Sequence, residues 1–419
     1  MNLILENAQK IVSGEEAVSL EETARVLENL VFTAGGCSVN EEKECNETCI
    51  ELLKMIVSKA DTDDDDEVAY IVKSVIAILR SSKDVRVLDV LQEAGISFTE
   101  SIYYQREMTN FRDYILEWAF SPEVIEKLSQ LGVDLDEALI KGKTPAYILA
   151  QGERKISWGG YNIEEDYAKA VEYFSVESME ALDSQGTSAA HEAVRHNRFE
   201  MLEAMLKKGI DVNVTEDQPK VAGTTLLQTA CAYGFPKIVQ MLMDAGADDT
   251  LRNVEDETAA HIAVSRKIRF KEIREEERIA MIKALNNVDI PGKAGRTPLM
   301  LAQDYDMHAS YYLTPVLLEK GADANRTDDN GNSALLLHEE WSCDKNVVKA
   351  LVNAGADVNA RNRQGNTPLH LALKNGNGEV ARFLIKKGAD CNVANEQQVT
   401  PMQIAVEKGM EEVLPYMGI

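Results

Sequence analysis

The chain has 419 residues, and its 70 acidic side chains against 44 lysines and arginines give a formal net charge of −26. A hydrophobic content of 45% can fill a core, which excludes a disordered protein. A surface of this sign repels phosphate, so we expect no nucleic-acid partner. The start lacks a cleavable leader, and no apolar run approaches the ~20 residues that span a bilayer. The sequence therefore predicts a monomeric cytoplasmic protein without a membrane partner.

Residues 1–80 are predicted to form an N-terminal helical region. Leu20, Ala24, Leu27 and Val31 recur at helical spacing, and a second stripe of this kind begins at Val68. Amphipathic helices of this length need partners for their apolar faces. The region is either a cap on the structure that follows or an independent small helical domain.

Two features of this region resemble metal sites. Cys37, Cys45 and Cys49 lie close together, but four ligands are usual for structural zinc, and the last two cysteines share an apolar helical stripe. The acidic run 61–67 lacks the glycine and the glutamate that a calcium loop requires, and acidic residues there would instead complement the start of a helix. We therefore predict no metal, no cofactor and buried apolar thiols.

Residues 81–180 carry weak copies of two phrases that recur regularly further along the chain. Gly-Lys-Thr-Pro-Ala-Tyr-Ile-Leu-Ala at 142–150 matches the first phrase, and Glu-Ala-Gly-Ile at 93–96 and Leu-Gly-Val-Asp at 131–134 match the second. We predict degenerate repeats over 81–180.

The first phrase recurs seven times, in forms such as Thr-Pro-Leu-His-Leu-Ala at 367–372. Its copies start 37, 33, 39, 36, 34 and 33 residues apart. A second phrase, Gly-Ala-Asp-Val-Asn or a variant of it, falls between most copies. A Ser or Thr followed by Pro is typical of a helix start, and Gly of a helix end. The seven copies begin at Ser188, Thr225, Thr258, Thr297, Ser333, Thr367 and Thr400.

Two phrases at this period and offset resemble the ankyrin repeat. The resemblance implies an all-α fold, an α-solenoid of stacked helix-turn-helix repeats with short β-hairpin fingers, over residues 181–399 with a capping repeat at 400–419. It also implies a structural role, in the register of neighbouring hairpins, for the residues of the first phrase: His191, His261, Thr297, Pro298, Thr367, Pro368, His370, Thr400 and Pro401.

Ankyrin proteins usually bind partners through their hairpin tips and first helices, so the resemblance implies a binding surface there. The tips differ from one another while the framework repeats. The predicted tip residues are Ser184, Gln185, Val254, Glu255, Lys293, Asp329, Asn330, Arg363 and Gln364.

Three further segments are candidate partner sites. Trp158 and Tyr161 lie in a glycine-containing insertion, and Trp341 is predicted to lie in a loop between two helices; each is either a binding anchor or a plug in the stack. Arg266 and Arg269 lie in a basic insertion that either meets an acidic partner or is a solvated helix extension.

The sequence contains no phosphate-binding loop, nucleophile elbow or zinc-protease motif, and it therefore favours a non-catalytic protein that binds another protein. Two alternatives stay open. Residues 1–180 hold 36 acidic against 17 basic side chains, which suits an acidic inhibitor that occupies a basic site on a nucleic-acid-binding protein. An enzyme with its domain in residues 1–180 is the other alternative.

Overall fold

The computed structural model describes residues 2–34, 39–62, 64–82, 84–100, 102–104, 107–118, 121–137, 142–151, 163–218, 222–265, 273–304, 307–341 and 344–418. The chain divides into two compact units, Met1–Asp211 and Val212–Ile419. The boundaries predicted at 80/81, 180/181 and 399/400 are different divisions of the chain, and they stay predictions.

The first half of the N-terminal unit consists of five helices. Helix α2 packs against α1, α3 and α4, and α5 packs against α3 and α4. The acidic run that suggested calcium lies at a helix start, where the Asp64 carboxylate accepts N–H groups from Asp66 and Glu67. The helices are α1 (Asn2–Val12), α2 (Leu20–Ala34), α3 (Val39–Lys59), α4 (Asp65–Ser82) and α5 (Arg86–Glu93).

The second half of this unit adds a β-hairpin and seven helices. Strands β1 (Ile102–Tyr104) and β2 (Glu107–Thr109) pair antiparallel, so the helical fold carries one short strand pair. Helix α8 packs against α6, α10 and α11, and α9 packs against α7 and α12. The helices are α6 (Phe111–Trp118), α7 (Pro122–Gln130), α8 (Pro145–Gln151), α9 (Ile163–Ala170), α10 (Val176–Glu180), α11 (Ala189–Arg195) and α12 (Phe199–Lys208), with a 3₁₀ turn at Val171–Tyr173.

The C-terminal unit consists of helix pairs in two rows. The first helices of the pairs pack in the order α13, α15, α17, α19, α21 and α23, and the second helices in the order α14, α16, α18, α20 and α22. The helices are α13 (Leu226–Tyr233), α14 (Pro236–Asp244), α15 (Ala259–Val264), α16 (Glu275–Ala284), α17 (Pro298–Asp304), α18 (Met307–Glu319), α19 (Ala334–Trp341), α20 (Lys345–Asn353), α21 (Pro368–Lys374), α22 (Gly378–Lys386), α23 (Pro401–Glu407) and α24 (Leu414–Met417), with a 3₁₀ turn at Lys293–Gly295.

The helix starts follow from hydroxyl caps. The side-chain oxygen of Thr297 accepts the backbone N–H of Met300 at 3.3 Å, and that of Thr400 accepts the N–H of Gln403 at 3.2 Å. Pro298 and Pro401 are the first helical residues, where no N–H is needed. Five residues after six of the seven caps an alanine is almost fully buried, which lets neighbouring helices approach closely: Ala193, Ala230, Ala263, Ala302, Ala372 and Ala405.

The repeat that contains α16 lacks the Gly-Ala-Asp turn that follows the second helix in most other repeats, and a carboxylate from the preceding turn ends this helix instead. The carboxylate of Asp249, from the preceding turn, accepts the backbone N–H groups of Asn286 and Asn287 at 2.6 and 2.8 Å. It also accepts the side-chain amide of Asn287 at 2.7 Å. This buried carboxylate therefore fixes the chain after α16, where the other repeats use a glycine turn.

Within the described part of the chain, the helices are too short or too polar to cross a lipid bilayer.

Candidate interaction surface

The tip residues predicted from the sequence are all exposed. On the N-terminal unit these are Ser184 and Gln185. On the C-terminal unit, Val254 is an apolar tip residue that is 59% exposed. The other exposed tip residues are Glu255, Lys293, Asp329, Asn330, Arg363 and Gln364.

Each of five tips is closed by an Asp or Asn that sequence reasoning missed. In one of them, the side-chain oxygen of Asn362 accepts the backbone N–H groups of Gln364 and Asn366 at 3.1 and 3.0 Å. The backbone N–H of Asn362 donates in turn to the carbonyl of Asn366. The signal was available, because this residue stands five positions before the capping Ser or Thr in each of the five: Asp183, Asn253, Asp328, Asn362 and Asn395.

Neighbouring tips of the C-terminal unit are joined by backbone hydrogen bonds. The N–H of Arg363 donates to the carbonyl of Asn330 at 2.9 Å, and the N–H of Glu396 donates to the carbonyl of Gln364 at 3.0 Å. The same bond joins Asp329 to Ala294 and Val254 to Ala222. This tip ladder therefore fixes the spacing of the tips from Ala294 to Glu396, and a separate bond fixes the Val254 tip to Ala222, while the tip side chains are exposed.

An apolar row accompanies the tips on the first helices. Ile262, Leu301 and Ile404 each stand four residues after the capping Thr of their repeat and are half-buried. Leu371, at the same place in its repeat, is 8% exposed. Partly exposed aliphatic side chains at repeated positions offer a surface for apolar contacts with a partner.

Two histidines of the first phrase, His261 and His370, bridge successive repeats, and Nδ1 of the third, His191, lies 2.8 Å from the hydroxyl oxygen of its own cap Ser188. Nδ1 of His261 accepts the backbone N–H of Thr258 at 3.2 Å, and its Nε2 lies 3.0 Å from the carbonyl oxygen of Arg296. His370 repeats this arrangement with Thr367 and Val399, at 3.1 Å for each bond. A neutral ring that carries its proton on Nε2 satisfies both bonds.

Two other repeats use glutamine at this position. Gln228 accepts the N–H of Thr225 at 3.0 Å and donates to the carbonyls of Leu251 and Glu257 at 2.8 and 3.0 Å. Gln403 accepts the N–H of Thr400 at 2.8 Å. An amide therefore reproduces the bonds of the neutral imidazole, and it does so without a titratable group.

Replacement of His261 and His370 by glutamine is expected to weaken the acid sensitivity of the fold. Burial lowers the pKa of both histidines. Below about pH 6.5, the usual histidine pKa, the unfolded chain takes up protons that the folded chain does not. The free energy of unfolding therefore decreases as the pH is lowered from about 6.5 towards the lowered pKa of the folded chain. Between pH 7.5 and 5.5 we expect the free energy of unfolding of the native chain to fall by about 1 kcal/mol per histidine. The double variant should not lose this part of its stability.

Urea unfolding followed by circular dichroism at the two pH values measures this difference. The single variant His196→Gln is the matched control, because His196 is more exposed and does not bridge repeats. Equal losses of stability in the native chain and the double variant would contradict the assigned neutral state.

Tyr147 takes the histidine place in the weak copy at 142–150. Its backbone N–H donates to the hydroxyl oxygen of Thr144 at 3.2 Å, as His370 does to Thr367. Burial, followed by the nearby carboxylates of Glu192 and Asp183, raises the pKa of Tyr147. The local geometry of a repeat start is therefore present before residue 181, although the degenerate repeats over 81–180 stay a prediction.

The other candidate residues are placed only in part. Trp158, Tyr161, Arg266 and Arg269 lie outside the described residues. The sequence predicted a loop around Trp341, but Trp341 is the last residue of helix α19, so the prediction is wrong for the residues up to 341. The side chain of Trp341 lies outside the described part of the chain. For these five residues, a role in binding stays a prediction.

The cysteines of the suspected metal cluster are described in part. Cys45 and Cys49 are buried and unoxidised, and burial, with Cys45 and Asp84, raises the pKa of the Cys49 thiol to about 12. Cys37 lies outside the described residues. Among the residues that are described, no group of three or more His, Cys, Asp or Glu side chains is placed to hold a metal ion.

The repeated caps, bridging histidines and paired rows of helices correspond to a known family. A family model of ankyrin repeats in three copies matches residues 337–417, and one of ankyrin repeats in many copies matches residues 187–243. The chain carries ankyrin repeats in these two segments. Repeats of this kind generally mediate protein–protein interaction.

Known proteins share these repeats. The mouse B-cell lymphoma 3 protein homolog is 34% identical over 154 residues, which are 36% of this chain and 32% of that protein. Mouse Rabankyrin-5 is 25% identical over 204 residues, 46% of this chain and 17% of that protein. The chain thus spans a third or less of the length of these relatives. The crystal structure of the ankyrin repeat domain of Bcl-3 aligns with 55% of this chain and 100% of its own, with a TM-score of 0.47 and 24% identity.

Proposed function

We propose that this chain is a non-catalytic module that binds another protein through the tips and first helices of its C-terminal unit. The observation that carries the proposal is the tip ladder, in which exposed and mutually different side chains stand on a backbone fixed by hydrogen bonds. Specific recognition needs different side chains in a fixed arrangement, and this surface supplies both.

The apolar row supports the same surface. Ile262, Leu301 and Ile404 can contribute buried apolar area, and Arg363 can contribute the kind of side chain that often dominates binding energy. The four cysteines that the structure describes are not in disulfides, which suits a reducing compartment such as the cytoplasm.

The test compares three forms of the chain as baits in a native lysate, with quantitative mass spectrometry of the bound proteins. The tip variant carries Val254→Ser, Asp329→Ser and Arg363→Ser, which remove exposed side chains and leave the backbone ladder in place. The control variant carries Lys237→Glu and Lys283→Glu on the exposed sides of α14 and α16. We expect proteins that the native and control chains enrich at least about tenfold over the tip variant.

Two outcomes would count against the proposal. Equal enrichment by all three baits would remove the tips as the recognition surface, and no enriched protein with the native bait would remove the function. An acidic inhibitor that acts through residues 1–180 predicts a third pattern, in which a basic protein binds all three baits and is released by salt.

A further inference from the structure

The second helices of two adjacent repeats carry a cluster of cations outside the proposed tip surface. Lys345 and Lys349 lie on α20, and Arg382 and Lys386 lie on α22, which packs against α20. Lys345 forms an ion pair across the two helices with Glu379. No described residue forms an ion pair with Lys349 or Arg382, so their charges remain available.

The carboxylates near this cluster do not balance it. Lys345, through its hydrogen bond and its charge, and then Arg382 and Lys349 lower the pKa of Glu379, which places three cations around one carboxylate. Asp344, beside Lys345, accepts the backbone N–H groups of Asn346 and Val347 at the start of α20. Glu412 lies against Gly378 at the edge of the cluster, and Lys387 adds a further exposed cation. A local positive excess therefore remains in a chain of net charge −26.

An aromatic side chain borders the cluster. Tyr311 on α18 is 56% exposed, and it stands ten residues before Gly321, as Lys345 stands ten residues before Gly355. Since α18 packs against α20, Tyr311 and Lys345 occupy equivalent places on neighbouring helices. An exposed tyrosine beside cations can contact an apolar side chain of a bound peptide while the cations hold its carboxylates.

The size of the cluster selects the kind of partner. Four residues along a helix span ~6 Å, and packed helices lie ~8–10 Å apart, so the cations cover an area that meets only a few anionic groups. Nucleic acid gains affinity from many phosphates along an extended track, and the charge of the whole chain opposes a long polyanion. A short acidic peptide matches both the size and the sign.

We propose that the outer basic patch, formed by Tyr311, Lys345, Lys349, Arg382 and Lys386, binds an Asp- and Glu-rich segment of a partner protein. The patch lies on the second helices, and the tips and first helices stay open for the partner proposed above. The chain would then hold one protein by its tip surface and an acidic segment, of the same or another protein, by its outer helices.

Fluorescence anisotropy of the full chain with a labelled peptide of about eight glutamates tests the patch, because such a peptide spans ~25 Å when extended and covers it. The variant Lys349→Glu/Arg382→Glu reverses two charges of the patch, both on half-buried residues, and Lys237→Glu/Lys283→Glu makes the same change in net charge at exposed residues away from the patch. We expect the first to weaken binding at least about tenfold, the second to change it less than about threefold, and added salt to weaken native binding.

Tyr311→Ser and a glutamine peptide complete the comparison. The tyrosine variant should still bind the glutamate peptide, with an affinity between those of the native chain and the charge reversal, and the glutamine peptide should not bind. Equal weakening by both charge reversals would show an effect of net charge alone and overturn the proposal. So would an absence of native binding, or tighter binding of duplex DNA or anionic vesicles. The Ser variant of the tips should bind the glutamate peptide normally, which separates this surface from the proposed function.

Discussion

Replacement of Arg112 by leucine is expected to cost about 3–5 kcal/mol in the N-terminal unit, because it leaves a buried carboxylate without its guanidinium partner. Arg112 is 2% exposed, and its Nε donates to the carboxylate of Asp113 at 3.0 Å. Its Nη1 donates to the carbonyl of Asp134 and to the carboxylate of Glu137, at 3.0 and 3.1 Å. One side chain thus ties α6 to the turn after α7.

The double variant Arg112→Leu/Asp113→Leu is the informative control. Replacing both members of a buried ion pair by apolar side chains is often close to neutral, whereas removing one member is not. Hydrogen exchange of the full chain, read by mass spectrometry over peptides covering 111–137, reports the local free energy of opening. We expect fast exchange in the single variant and partial recovery in the double variant; an additive effect of the two changes would contradict the coupling.

Replacement of Gly292 by alanine is expected to cost about 3 kcal/mol in the C-terminal unit, at the upper end of what overpacking usually costs. A Cβ at this position would lie 2.6 Å from the carbonyl oxygen of Asp256 and 2.7 Å from Nε2 of His261. Its φ of −106° is open to any residue, so the cost arises from the collision. The displaced imidazole would also lose its bond to Arg296.

Gly246→Ala separates a collision from backbone strain. Gly246 has a φ of +90° with no atom within 4 Å of the added Cβ, so alanine there should cost only about 1 kcal/mol. Urea unfolding of both variants, with hydrogen exchange over α15 and α17, compares the two. A loss at Gly292 no larger than that at Gly246 would show that the backbone yields at this turn.

Much of the repeat architecture can be predicted from the sequence, because it depends on local chemistry. In the recurring phrase a Thr before a Pro caps a helix, and the histidine at the bridging position needs only its own cap and the next hairpin. The closing Asp or Asn of the tips also stands at a fixed offset and could have been found. The tip ladder could not, because backbone N–H and carbonyl groups are the same in every residue.

The departures from the pattern depend on tertiary contacts. Asp249, in the turn before this repeat, accepts the backbone N–H groups at the end of α16. A sequence pattern within the repeat does not show this contact. The three-residue strands β1 and β2 are too short for alternation to be read. Helix α19 continues to Trp341, where the sequence pattern predicted a loop. The outer basic patch was missed because its cations come from two helices, each with few charges.

The backbone ladder across the tips has a consequence for evolution and for engineering. A binding loop that orders only on contact loses conformational entropy in the complex, whereas these tips are already ordered by their own hydrogen bonds. Because the bonds use backbone groups and the closing Asp or Asn of each tip, the exposed positions such as Val254 and Arg363 can be exchanged without altering the frame. New specificities can therefore arise by single substitutions that leave folding unchanged.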